Sequence, residues 1–164
     1  TENLTTKEPD LSFVNRVDSM DSDADVVVVF GGTNDFGHGD AKLGTFESRD
    51  PYTFYGAMHV LCEKLINRFP NADILFMTPL HRCSEDEVSK ENGLPEETNL
   101  AGYVSIIREV AEFYGLPVLD LFSTSGLQPK VDIIKETYMP DGLHPSDAGA
   151  LRIALRLMGF LQTL

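Results

Sequence analysis

Two short stretches of the 164-residue sequence carry side chains of the kind that transfer acyl groups: Gly31-Gly32-Thr33-Asn34-Asp35-Phe36 and Asp141-Gly142-Leu143-His144-Pro145. An asparagine can present its amide N–H groups to a developing oxyanion, and neighbouring glycines let backbone approach a ligand closely. A histidine titrates near neutrality, and a carboxylate three residues earlier in a turn can hold its ring N–H and stabilise the imidazolium that forms. Asp141 and His144 therefore have the components of a general base and its orienting group. Taken singly, each stretch reads equally well as a turn or a capped loop.

Their placement depends on the elements around them. Residues 24–30 (ADVVVVF) form a continuous β-branched apolar run ending at Gly31-Gly32, which predicts a strand buried on both faces, as in a parallel sheet. Residues 72–77 (ADILFM) and 117–122 (PVLDLF) predict two more strands. Between and after them lie helical periodicities. Residues 51–69 carry Phe54, Met58, Leu61, Leu65 and Ile66, with Asp50 as N-cap and Pro51 at the first helical position. Residues 99–114 carry Tyr103, Ile106, Ile107, Val110 and Phe113, and residues 146–164 carry Leu151, Ala154, Leu155, Met158 and Leu161. Strand and helix alternate, so the crossovers are parallel and right-handed and the expected class is α/β with a parallel sheet. No linker divides the chain, and a single domain over residues 1–164 is expected.

Three long irregular segments, 31–50, 78–98 and 123–145, each follow a strand, so all three are expected at the carboxyl edge of the sheet, where open α/β sheets bind ligands. Both chemical stretches fall there. In this order and setting they resemble the SGNH hydrolases, the GDSL-type esterase/lipase family: Gly32-Thr33-Asn34-Asp35 is similar to its G-x-N-D block and Asp141-Gly142-Leu143-His144 to its D-x-x-H block. The resemblance implies a flavodoxin-like three-layer α/β/α fold and a serine hydrolase of ester bonds, and the expected substrate is a short acyl ester of a carbohydrate or similar polar alcohol. Carried over by position, Asn34 would donate to the oxyanion, His144 would act as general base and then acid, Asp141 would orient it, and Gly32 would keep the loop close to substrate. No metal or organic cofactor is implied, and the partner is a small-molecule ester.

The departure from the pattern is equally specific. The family's Gly-Asp-Ser block and second glycine block precede the asparagine block, and this sequence contains neither. Ser12, Ser19 and Ser22 follow no strand, Ser125 sits in a late loop, and no G-x-S-x-G elbow occurs. Without a neighbour, the valine-rich first strand would be an edge of the kind proteins normally cover. With Thr1 in place of Met, these features lead to the expectation that the sequence is the C-terminal three quarters or so of an SGNH hydrolase, its nucleophilic serine lying upstream. The alternative is a catalytically inactive binding module with the same fold. A nucleotide-binding domain would use the glycines for phosphate, but no phosphate-cradling motif is present.

Several other residues lie on the same loops. His38 and Asp40, after the asparagine block, and His81 and Arg82, after the second predicted strand, are candidates for substrate contacts. For Arg82, pairing with the acidic run Glu85-Asp86-Glu87 is the favoured reading, and for His59 a packing or surface role. No exposed apolar lid-like helix is expected, which argues against long acyl chains. The charge balance excludes other partners: 26 acidic against 13 basic residues give −13, which repels nucleic acid and anionic lipid. Hydrophobic residues make up 42%, enough for a core without disulfides, and Cys62 and Cys83 read as free thiols. No signal peptide or membrane span is read, so a soluble protein is expected, a cytoplasmic location being slightly favoured over secretion.

Overall fold

In the computed structural model, which describes residues 12–39, 42–87 and 98–164, the three apolar runs form one parallel sheet. Its strands, β1 (Val26–Phe30), β2 (Asp73–Met77) and β3 (Val118–Leu119), lie in the order β1-β2-β3. Val28 faces Leu75, Phe30 faces Met77, and Phe76 faces Val118. Crossover helices α3 (Phe54–Arg68) and α4 (Leu100–Phe113) cover one side of the sheet. There Val27, Ile74 and Phe76 share a core with Met58, Leu61, Leu65, Tyr103, Ile107 and Val110. On the other side Leu75, Met77 and Leu119 pack with Leu127, Met139 and, from α7 (Asp147–Leu161), Ile153, Leu157 and Phe160. Alternating side chains of β2 thus enter opposite cores, which makes a three-layer α/β/α arrangement.

Helix starts follow the caps. Asn99 accepts from the Gly102 N–H at the start of α4, and Ser146 from the Gly149 N–H at the start of α7, each at 3.3 Å. The first crossover differs from expectation. Thr53, not Asp50, is the N-cap of α3, its Oγ1 accepting from the Gly56 N–H at 3.1 Å. The reason is tertiary: the N–H groups of Phe54 and Tyr55 donate to the carbonyls of Lys42 and Leu43, both at 2.9 Å, so the chain is still paired laterally where a local reading begins the helix. Asp50 instead closes a turn by accepting from the Tyr52 N–H. The third strand is cut to two residues because Asp120 caps a short helix, α5 (Leu121–Thr124). Short helices α2 (Thr33–His38) and α6 (Asp132–Tyr138) also occupy stretches read as irregular, and a further short helix, α1 (Phe13–Arg16), precedes β1.

Two expectations about apolar surface are corrected. β1 is buried on one face only: Val26, Val28 and Phe30 are 44%, 39% and 42% exposed, and the strand is an edge of the sheet. A run apolar on both faces cannot reveal by itself which face is covered. Nor is an exposed apolar helix absent, since Leu151, Leu155 and Met158 of α7 are each more than half exposed. That stripe lies away from the side chains α7 sends into the core, so the helix is apolar around more than half its circumference. Among the described residues no helix is long and apolar enough to cross a membrane.

Candidate active site

Because all strands are parallel, Phe30, Met77 and Leu119 end at one edge of the sheet, and the chain leaves that edge through α2, the segment after Met77, and α5. Gly32 makes the first exit possible. Its φ is +99°, and a Cβ there would come within 3.1 Å of Ile107 Cδ1 and 3.4 Å of Pro79. The tight turn brings α2 directly over the edge, with Asn34 exposed in its first turn.

The second stretch forms a hydrogen-bonded loop before α7. Asp141 Oδ1 accepts from the backbone N–H groups of Leu143 and His144 at 2.8 and 2.7 Å, and Oδ2 accepts from His144 Nδ1 at 2.6 Å. The His144 side-chain bond, followed by the two backbone N–H bonds, holds the Asp141 carboxyl well below the usual carboxylate range. An ionised Asp141 fixes the ring with Nδ1 protonated, which leaves Nε2 as the basic nitrogen on a side chain 76% exposed. Among the described residues no serine hydroxyl hydrogen-bonds His144.

What joins the two stretches is not visible in sequence. The Cys83 N–H donates to the Gly142 carbonyl at 2.9 Å, tying the histidine loop to the segment after β2. Gly142 has φ +78°, and a Cβ on it would lie 2.5 Å from Cys83 Sγ. Gly142→Ala is therefore expected to destabilise the protein by at least roughly 1–2 kcal/mol from the left-handed backbone alone, and the contact with Cys83 adds to it. A calorimetric midpoint unchanged within a degree would refute this.

The remaining candidates divide. Arg82 does not pair with the acidic run: its guanidinium donates to Thr33 O at 3.3 Å and Ser84 Oγ at 3.1 Å and lies over the Phe36 ring. Arg82 meets Glu85 through its backbone alone, its N–H donating to the Glu85 carboxylate and its carbonyl accepting from the Glu85 N–H. Lys130, more than forty positions along the chain, pairs with Glu85 and Asp86 instead, a partner local sequence could not supply. His81 is held by Glu85 at 2.6 Å and stacks on Phe122 at a centroid distance of 3.9 Å. His38 is exposed at the end of α2, and Asp40 lies outside the described residues. Ser125 is buried, its Oγ accepting from the Leu127 N–H. His59 is fully buried among Phe46, Phe113 and Tyr114, as a packing residue. Both cysteines are free thiols.

Solved structures place the fold in a class. One is 38% identical with a TM-score of 0.81, covering 92% of this chain and 70% of its own. A protein from Lactobacillus plantarum is 31% identical with a TM-score of 0.82, covering 92% and 72%. A possible lipase from Chitinophaga pinensis, 21% identical with a TM-score of 0.67 and coverage of 92% and 77%, shares the fold. The fold is that of the SGNH-type α/β hydrolases. Residues 4–152 match the GDSL-like lipase/acylhydrolase family, and the chain belongs to it. No curated protein matches the chain.

Proposed function

We propose that the protein hydrolyses short acyl esters of polar alcohols, carbohydrates among them, with Asn34, Asp141 and His144 in the catalytic roles. The observation that carries this reading is the 2.6 Å bond between His144 and an Asp141 carboxylate held ionised, on a loop tied to the same sheet edge as Asn34. In the reaction His144 Nε2 takes the proton of a serine hydroxyl as its oxygen attacks the ester carbonyl. Asn34 Nδ2 donates to the resulting oxyanion, and His144 returns the proton to the leaving alkoxide. Water then repeats the sequence on the acyl-enzyme, releasing the acid and the free serine.

An apolar pocket beside Gly31, Gly32 and Asp35, lined also by Phe13, Met58 and Ile107, supports an acyl-binding role for this edge. For the serine we propose a position upstream of Thr1, on a strand paired with β1. The free edge of β1, the exposed faces of Val26, Val28 and Phe30, and the absence of a serine bond to His144 among the described residues support it.

A fluorophosphonate probe and p-nitrophenyl acetate test the proposal. The full-length protein should be labelled on a serine outside the 164 residues and turn over the ester, whereas residues 1–164 alone should do neither. Labelling of Ser125 or another serine within them would overturn the serine assignment, and silence from the full-length protein would favour the binding-module alternative.

A further inference from the structure

Asn34 and His144 come from loops 110 positions apart, and no hydrogen bond between the two loops is seen among the described residues; the segment after β2 touches both. On one side Arg82 reaches α2, where its Nη1 donates to Thr33 O at 3.3 Å and lies 3.5 Å from Thr33 Oγ1. The guanidinium also covers the Phe36 ring at 5.3 Å and occupies the space left by Gly37, where a Cβ would come within 2.9 Å of Nη1. Its Nε is aimed by Ser84 Oγ at 3.1 Å. On the other side the next residue, Cys83, donates its N–H to Gly142 O within the Asp141–His144 loop. The segment itself is anchored by Glu85, which accepts from the Arg82 N–H at 3.2 Å and from Gln128 at 3.0 Å.

We propose that Arg82 is a positioning residue for Asn34: its forked guanidinium locks the first turn of α2 against a segment that also holds the histidine loop, and so sets the distance between the oxyanion donor and the base. The inference rests on the proposed role of Asn34 in ester hydrolysis. Arginine suits the task because its planar fork serves Thr33 and Ser84 at once while stacking on Phe36, which a lysine ammonium cannot do. Arg82 makes no contact with substrate in this scheme. A misplacement of the donor by about an ångström lowers turnover up to roughly a hundredfold without weakening ground-state binding.

The test is a double-mutant cycle in the full-length enzyme with p-nitrophenyl acetate. Arg82→Ala should lower kcat roughly ten- to a hundredfold with KM changed less than about twofold, and Arg82→Lys should recover only part of the loss. Ser84→Ala, which removes the acceptor aiming the guanidinium, should give a smaller loss of the same kind and guards against an Arg82→Ala chain that does not fold. In an Asn34→Ala background both changes should have almost no further effect on kcat. Equal losses with and without Asn34 would overturn the proposal, as would a raised KM with kcat unchanged, which marks direct substrate contact. If Asn34→Ala alone leaves turnover intact, it is the assigned role of Asn34 that fails.

Discussion

His144→Ala in the full-length protein should reduce ester turnover to background, and Asn34→Ala should lower it by roughly two to three powers of ten, or about 2.7–4 kcal/mol of transition-state stabilisation. The two losses differ because the groups do different work. In the proposed mechanism His144 moves a proton in every step, whereas Asn34 contributes one donor to an oxyanion that other groups also stabilise. Asp141→Asn should fall between them. The two backbone N–H groups on Oδ1 would keep the amide oxygen in place and turn the amide N–H2 toward His144 Nδ1, forcing the ring into the wrong tautomer. The pH profile supplies a second check. Asp141 stays ionised well below the usual carboxylate range, so the fall in kcat/KM on the acid side should not follow an ordinary carboxylate, and Asp141→Asn should lower its height without moving it to that range. Unchanged turnover in Asn34→Ala removes Asn34 from the mechanism, and full activity in His144→Ala removes the mechanism.

These residues are legible in sequence because their chemistry is local. Asp141 and His144 are three positions apart and bond within one turn, and Asn34 follows a strand whose β-branched run is visible on its own. The parallel sheet and its three long helices follow from periodicity. What escapes is what depends on distant partners. Thr33 and Arg82 are separated by 49 positions, and Lys130 lies 45 beyond Glu85, so the sequence suggests the nearby acidic run as partner for Arg82. The start of α3 moves for the same reason: lateral bonds to Lys42 and Leu43 outweigh the local signal of Asp50-Pro51. Burial of β1 is misjudged because four valines and a phenylalanine are apolar on both faces and do not show which face is covered.

Glu85 reads in sequence as one member of an acidic run, yet it is buried and should carry a large share of the stability of the active edge. Its two oxygens accept from His81 Nδ1 at 2.6 Å, Lys130 Nζ at 2.9 Å, Gln128 Nε2 at 3.0 Å and the Arg82 N–H at 3.2 Å. Its own carbonyl takes the Leu100 N–H, the first residue of α4, so the loops after β2 and β3 and the start of α4 meet on one residue. Burial alone would push the Glu85 carboxyl up, but the bonds from Lys130, Gln128 and His81 outweigh it and bring the carboxyl down to about 2, from 4.5 unfolded. A carboxyl lower in the folded state stabilises the fold only when ionised there, so its contribution is complete above pH 4.5 and is lost as pH falls toward 2. The gap corresponds to about 3 kcal/mol. Glu85→Gln removes the charge and sets an amide N–H2 against groups that are all donors, so unfolding by urea at about pH 7 should show a loss of roughly 2–3 kcal/mol. Below pH 4.5 the two proteins should converge, because protonation takes from the wild type what the substitution has already removed. Stability curves that stay parallel between about pH 5 and about pH 2.5 would show that Glu85 is not the group that makes this edge acid-sensitive.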